Sequence, residues 1–116
     1  MMQHALSPCF EPISAAIQVI GGKWSYSVIA NLCQGTQRFN QLRRNLGDVS
    51  IKSLTDTLRH LEQCGIVNRT VFPTVPVSVE YSLTDSGREY GEILFQMRQW
   101  GEKWMLNPVK DSGNSL

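Results

Sequence analysis

The sequence predicts a mainly α-helical fold with one small β-hairpin, which places it in the α+β class. Apolar residues recur every three or four positions in five segments, as they do in amphipathic helices. Between the fourth and fifth segments the pattern changes to β-branched and aromatic residues, which favour strands. The chain has 116 residues, of which 41 % are hydrophobic and 18 % are charged, and these values are typical of one globular domain.

The first two helices are predicted over residues 12–20 and 23–33. Pro12 occupies a position that the first turn of a helix tolerates, and Gly21 and Gly22 interrupt the apolar pattern. The apolar residues that support the two predictions are Ile13, Ala16, Ile17 and Ile20 in the first helix, and Trp24, Val28, Ile29 and Leu32 in the second.

A short third helix and a longer fourth helix follow, joined by a tight turn. Phe39, Leu42 and Leu46 mark the apolar face of the third helix, which we expect to end at Gly47. Ser50 is the predicted N-cap of the fourth helix, because its hydroxyl can accept a hydrogen bond from the first turn. Two helices joined by so short a turn form a helix-turn-helix unit. The buried stripe predicted for the fourth helix is Ile51, Leu54, Leu58 and Leu61.

The segment after the fourth helix predicts a β-hairpin, or wing. Strand-forming residues lie on both sides of a predicted turn at residues 73–76. Thr84 is the predicted N-cap of a last helix of about twenty residues, which ends at Asn107 and Pro108. We expect an N-terminal arm at residues 1–11, a winged helix-turn-helix domain at 12–106 and a flexible tail at 107–116.

Charge is unevenly distributed, although the formal net charge is only +1. Residues 21–72 carry seven Lys or Arg against three Asp or Glu, whereas residues 73–106 carry three against five. The basic segment can face a polyanion, and the outer side of the fourth helix presents short or basic donors that suit a DNA major groove. The predicted DNA-binding residues are Lys23, Arg38, Asn40, Gln41, Arg43, Arg44, Ser50, Lys52, Ser53, Thr55, Asp56, Arg59 and Arg69.

Parts of this predicted surface have alternative interpretations. An ordinary solvated face is the usual explanation for one polar helix side, but the neighbouring short helix and hairpin favour DNA. Asp56 repels phosphates, so it either accepts from a cytosine amino group or pairs with Lys52 or Arg59. Arg69 is the only cation of the hairpin, and its tip carries none, which predicts weak insertion into a minor groove.

The last helix carries an apolar stripe that predicts a homodimer. Packing within its own domain explains part of the stripe, but so small a core has limited area for both Trp100 and Trp104. We therefore expect the first and last helices to form a symmetric interface that sets two reading helices about 34 Å apart. The predicted dimerisation residues are Ile13, Ile17, Ile20, Ile93, Met97, Trp100 and Trp104.

Other functional classes lack their motifs. We find no catalytic-triad, metalloprotease, phosphate-loop or dinucleotide-binding pattern, so the sequence predicts neither an enzyme nor a cofactor. The three cysteines are widely spaced, unlike a disulfide framework or a metal site, and Cys33 and Cys64 are expected to be packed and inert. The apolar stretches are shorter than the ~20 residues that span a bilayer, and no export signal is visible. We therefore expect a cytoplasmic protein without a membrane partner.

Five motifs carry a resemblance to a known family: Ile20-Gly21-Gly22-Lys23-Trp24, Arg38-Phe39-Asn40-Gln41-Leu42-Arg43-Arg44, Leu58-Arg59-His60-Leu61-Glu62, Gly65-Ile66-Val67 and Val79-Glu80-Tyr81-Ser82-Leu83-Thr84. In this order they resemble the HxlR-type bacterial transcription regulators over roughly residues 12–104. The resemblance implies a winged helix-turn-helix fold, a homodimer built from the first and last helices, and binding to a palindromic operator in double-stranded DNA.

The resemblance also bears on sensing. Family members often carry a cysteine directly before the proline that opens the first helix, and in some it senses oxidants or electrophiles. Here Glu11 precedes Pro12, so the nearest thiol, Cys9, is the candidate redox residue. Two rival hypotheses keep the same fold: a protein-interaction module that does not touch DNA, and a sensor whose small-molecule effector enters between the last and second helices, near Trp24.

Overall fold

The computed structural model describes the backbone of residues 3–106 and the side chains of residues 11–106. This part of the chain forms five helices and a three-stranded antiparallel sheet, which confirms the predicted α+β class. The helices are α1 (Gln3–Val19), α2 (Ser25–Leu32), α3 (Phe39–Leu46), α4 (Ile51–Gln63) and α5 (Asp85–Trp104). The strands are β1 (Gln37–Arg38), β2 (Val67–Phe72) and β3 (Ser78–Leu83).

The turn between α3 and α4 is short and well bonded. Gly47 adopts a φ of +80°, a left-handed conformation that glycine reaches without a steric penalty, and its N–H donates to the carbonyl oxygen of Arg43 at 3.2 Å. Ser50 caps α4, because its hydroxyl oxygen accepts the backbone N–H of Ser53 at 3.0 Å. The predicted helix-turn-helix unit and its N-cap are therefore confirmed.

The sheet consists of the predicted hairpin and one strand that the sequence did not predict. β2 and β3 pair antiparallel from Val67 opposite Leu83 to Phe72 opposite Ser78, and together they form the wing. β1 pairs with the other edge of β3, where Gln37 lies opposite Tyr81. β1 has only two residues, which are too few to show the alternating pattern of a strand in the sequence.

The core lies between α2, α3, α4 and the base of the wing. Leu54, Leu58 and Leu61 are almost fully buried, as predicted, and belong to one apolar cluster with residues of α2, α3, the sheet and α5. Ile51 was predicted to continue this stripe, but its side chain is 58 % exposed. It lies in the first turn of α4, one turn before the leucines, where the core no longer covers the helix.

The start of α1 differs from the prediction. The helix begins at Gln3, so Pro12 lies inside it rather than at its first turn, and residues 3–11 are helical instead of a separate arm. A proline inside a helix removes one backbone hydrogen bond but does not force the helix to begin there, so its position was a poor guide. The proposed boundary of a tail at residues 107–116 lies outside the described residues.

The N-terminus of α5 is tied to the start of the wing. The Thr84 hydroxyl accepts the N–H of Gly87 at 2.9 Å, which confirms the predicted N-cap, and donates to the Gly65 carbonyl oxygen at 2.6 Å. Gly87 is buried, and a Cβ built on it would lie 2.2 Å from the Ile66 carbonyl oxygen. A glycine is therefore required where α5 crosses the chain leaving α4.

We expect Gly87→Ala to lower the free energy of unfolding by about 2 kcal/mol or more, because the methyl group meets backbone that cannot rotate away. Urea denaturation followed by circular dichroism measures the change. Gly101→Ala is the control, since nothing lies within 4 Å of its built Cβ, and it should raise stability by about 0.5–1 kcal/mol. Equal stability of the two variants would contradict the close contact.

Candidate nucleic-acid interface

The outer face of α4 is turned away from the core. At 100° per residue, Lys52, Asp56 and Arg59 lie about 140–200° around the helix from Leu54, and all three are exposed. Ser53 and Thr55 lie on the two flanks and are half-buried. The structure therefore brings the predicted charged residues of α4 together on one solvent-facing side.

Asp56 is paired with both neighbouring cations. Its carboxylate accepts from Lys52 Nζ at 2.8 Å and lies 3.9 Å from Arg59 Nη1. The hydrogen bond from Lys52, together with its positive charge, holds the pKa of Asp56 below its ordinary value. Of the two interpretations, the structure supports pairing within the helix. The carboxylate contacts both cations and cancels part of their charge.

The polar residues of α3 face solvent. Arg43 Nε donates to the Val49 carbonyl oxygen at 3.3 Å, so part of this side chain braces the turn before α4. Asn40, Gln41, Arg43 and Arg44 are all exposed. The phosphate contacts predicted for these four residues are therefore compatible with the structure, with one nitrogen of Arg43 already engaged.

Two grooves lie beside the wing. The α4–wing groove, of about 350 Å³, is lined by Arg59 and Glu62 of α4 and by Arg69 of β2. The α3–wing groove, of about 800 Å³, is lined by Arg38 of β1 and Arg44 of α3 on one side and by residues 74–79 on the other. Each groove therefore contains two arginines.

Two of the predicted DNA-contact residues, Arg38 and Lys23, have side-chain partners within the protein. Arg38 Nε lies 3.8 Å from a carboxylate oxygen of Glu80, across the β1–β3 pair. Lys23 stands over the ring of Trp24, with its Nζ 5.4 Å from the ring centroid. Lys23 is not among the residues that line either groove, so the structure does not join it to the other predicted contacts.

His60 lies on the flank of α4, where helical periodicity indicates a solvated polar side chain, but it faces α1. Its Nε2 lies 3.1 Å from the Gln18 carbonyl oxygen and 3.2 Å from that of Val19. Because carbonyl oxygens only accept, this nitrogen carries the hydrogen. No local pattern could reveal the contact, since its partners are more than forty residues away in the sequence.

A second surface runs along α1 and α5. Tyr90 joins the two helices, because its hydroxyl donates to the Ala16 carbonyl oxygen at 2.6 Å, and burial raises the pKa of this tyrosine. Ile20 was predicted to belong to an interface, but it is half-buried against the core of its own chain. The predicted residues that are exposed are Ile13, Ile17, Ile93, Met97, Trp100 and Trp104, and Phe95, Met105 and Leu106, which were not predicted, are exposed as well.

The cysteines differ from expectation. Cys33 and Cys64 are free and exposed, so the prediction that they are packed is wrong. Both follow the last residue of a helix, where the chain turns outward, and their helical spacing did not show this. Cys9 lies where only the backbone is described, so its predicted redox role falls outside the described side chains.

The fold and the charged surface define a class of protein. A helix-turn-helix unit whose second helix exposes a charged polar face, followed directly by a β-hairpin, is the architecture of winged helix-turn-helix DNA-binding proteins. Within residues 3–106, no helix is long and apolar enough to cross a membrane. In the same described part, no three potential ligands among His, Cys, Asp and Glu are grouped to hold a metal ion.

Comparison with known proteins gives the family. Residues 19–108 match the model of the HxlR-like helix-turn-helix, and the chain belongs to that family. An HTH-type transcriptional regulator of Synechocystis sp. is 42 % identical over 110 residues, which cover 90 % of this chain and 82 % of that relative. The chain is accordingly a DNA-binding transcriptional regulator, as its sequence predicts.

Two solved structures are similar in fold and sequence. The redox regulator HypR in its reduced form has a TM-score of 0.77 and 40 % identity, with 86 % of this chain and 98 % of that chain covered. The reduced form of the transcriptional regulator YodB from B. subtilis has a TM-score of 0.76 and 31 % identity, with 84 % and 94 % covered. Both likenesses support the winged helix-turn-helix fold.

Replacing Lys52 should raise the pKa of the Asp56 carboxyl group, because it removes the ammonium group that hydrogen-bonds to the carboxylate. In the wild-type protein, the side-chain carboxyl of Asp56 should titrate below its ordinary value, because ionisation is favoured next to the ammonium group. The ion pair between Asp56 and Lys52 is then fully formed at a pH above the ordinary pKa of aspartate. It is lost as the pH falls through the lowered pKa of Asp56. Carboxyl-detected NMR should find this midpoint raised in Lys52→Gln and unchanged in Lys103→Gln. A Lys52→Gln midpoint equal to that of the wild type would rule out the pairing.

Proposed function

We propose that this regulator binds a palindromic operator as a homodimer, with α4 of each copy in a major groove. The observation that carries the proposal is the exposed face formed by Lys52, Asp56 and Arg59, opposite the buried leucines. A helix about 10–12 Å across fits the major groove, which is about 12 Å wide. We further propose that the protein acts in the cytoplasm and has no catalytic activity, because the relatives named above are regulators.

The proposed contacts divide by chemistry. Lys52 and Arg59 reach base edges, since long cationic side chains suit guanine O6 and N7, while the hydroxyls of Ser50, Ser53 and Thr55 contact bases or phosphates at the rim. Asp56 orders the two cations or accepts from a cytosine amino group. The proposed phosphate contacts, which set the register without reading sequence, are Lys23, Arg38, Asn40, Gln41, Arg43, Arg44 and Arg69.

The proposed dimer is supported by the apolar surface of α1 and α5. Ile13 and Ile17 on α1, together with Met97, Trp100 and Trp104 on α5, are each at least half exposed. Monomeric proteins rarely leave so many large apolar side chains along one continuous surface. Because the Tyr90 hydroxyl donates to the Ala16 carbonyl oxygen, α1 and α5 meet at this point, and both helices can contribute to one interface with a symmetry mate.

Regulation by an effector is a further part of the proposal. An apolar concavity of about 470 Å³ lies between α2 and α5, lined by Tyr26, Leu94, Met97, Gly101 and other residues. Its place agrees with the effector site expected from the sequence, although Trp24 does not line it. HypR is named a redox regulator. We therefore propose that Cys9 is the residue of this protein that responds to a redox signal. Quenching of tryptophan fluorescence that accompanies operator release would identify a small-molecule effector.

Sequence preference should depend on Lys52. We expect Lys52→Ala to lose about 1–3 kcal/mol of operator affinity and to relax the preference for particular base pairs, whereas Arg44→Ala should weaken all duplexes alike and reduce the salt slope by about one. Fluorescence anisotropy against salt concentration measures both effects on a duplex that wild-type protein selects from a random pool. Lys103→Ala, a cation on α5, should leave the affinity unchanged. The proposal fails if wild-type protein selects no duplex.

Assembly should depend on α1. Ile17→Glu places a charge on the proposed interface and should produce monomers at micromolar concentration in sedimentation velocity, because an unpaired carboxylate is costly to bury. Ile51→Glu is the matched control, since both isoleucines are 58 % exposed but Ile51 lies on α4, and it should stay dimeric. If Ile17→Glu sediments as the wild type does, then α1 is not part of the interface.

A further inference from the structure

The tip of the wing is apolar and uncharged. Residues 70–79 contain no Lys, Arg, Asp or Glu, although the hairpin follows directly after the reading helix. Val75 is 100 % exposed and Val77 is 65 % exposed. Wings that enter a minor groove often use arginine or lysine, which the negative potential of the groove attracts. The tip therefore lacks the charge attraction that strengthens insertion, as the sequence predicts, and any groove contact it makes depends on apolar shape rather than on charge.

The position of the tip can be compared with the dimensions of DNA. β2 begins at Val67, four residues after the end of α4, and a six-residue strand is about 20 Å long. One turn of B-DNA is about 34 Å, so the centre of a minor groove lies roughly 17 Å along the axis from the neighbouring major groove. With α4 in the major groove, a wing of this length is long enough to reach the adjacent minor groove.

The groove behind the tip favours DNA as the occupant. One wall of the α3–wing groove carries Arg38 and Arg44, and the other wall is the neutral segment 74–79. A phosphate strand satisfies both walls at once, because its charge meets Arg44, beside an Arg38 that is shared with Glu80, while the sugars contact valine and proline. A protein partner would need an acidic face directly beside an apolar one to match the same groove.

We propose that Val75, between Pro73 and Pro76, is an apolar wedge that lies in the minor groove flanking each half-site and selects base pairs without a purine N2 amino group. The inference rests on the proposed function and adds a specificity-determining residue to it. A valine cannot accept a hydrogen bond from the guanine amino group, which would lose its water partners beneath the side chain. The two prolines restrict the backbone beside the wedge, so little conformational freedom is lost on binding.

Base analogues can test this contact without changing the major groove. In the selected duplex, we replace flanking adenine by 2,6-diaminopurine, which adds an N2 amino group, or flanking guanine by inosine, which removes one. Wild-type protein should lose about tenfold in affinity with diaminopurine and gain by a similar factor with inosine, as expected for one mismatched contact. Val75→Ser should show less than about a twofold response to either analogue, because the smaller hydroxyl side chain leaves room for water.

Two further variants separate this contact from charge and from folding. Val75→Ser should keep the salt slope of the wild type, whereas Val75→Arg should raise it by about one, because a cation then stands beside the phosphates. The melting temperature should be the same for all three proteins, because Val75 is fully exposed and packs against no core residue. A change in melting temperature in Val75→Ser would show that the tip is structural and would overturn the proposal.

The outcomes distinguish the wedge from the proposed function. If wild-type protein selects a duplex but ignores both analogues, or if Val75→Ser responds as strongly as the wild type, the wedge is wrong while DNA reading by α4 stands. If no duplex is selected at all, the proposed function itself fails. If Val75→Ser instead changes the sedimentation of the DNA-free protein, the tip contacts a second copy of the chain, which also excludes the wedge.

Discussion

The packing of Leu54, Leu58 and Leu61 against the core sets the rotation of α4 about its own axis. The three side chains span about 60° of the helix and are almost fully buried, so any rotation would expose a leucine or bury a charge. The face with Lys52 and Arg59 is therefore fixed toward solvent by residues that never meet DNA. A DNA-reading surface is in this sense a consequence of core packing, and Arg43 reinforces it by bracing the preceding turn.

The outer face of α4 carries a negative charge between its two positive charges. Asp56 lies between two cations and lowers the net charge of the face, although a carboxylate beside phosphates reduces affinity for any DNA. Non-specific binding depends on that charge, whereas discrimination depends on where the donors stand. The carboxylate lowers the attraction of this face for any DNA, and it contacts the two cations on which discrimination depends in the proposed complex. In the proposed complex, the uncharged tip of the wing likewise adds no general electrostatic attraction to DNA.

Local patterns in the sequence predicted what depends on local physics. The caps at Ser50 and Thr84 and the stripe from Leu54 to Leu61 follow from helical periodicity and side-chain hydrogen bonding, and all are present. β1, the turn of His60 toward α1 and the exposure of the cysteines were missed. Each of these depends on partners far away in the sequence or on where the core ends, and no window of neighbouring residues contains that information.

The contacts of α1 connect the two surfaces of the molecule. His60, on the flank of the reading helix, donates to the last turn of α1, and Tyr90 of α5 donates to the same helix at Ala16. Each hydrogen bond contributes only about 1 kcal/mol, so α1 is attached to α4 by a link that a modest change in packing can break. In the proposed dimer, α1 also contacts the symmetry mate. In that dimer, a shift of α1 would change the separation of the two reading helices, which a palindromic operator requires to be about one turn of DNA.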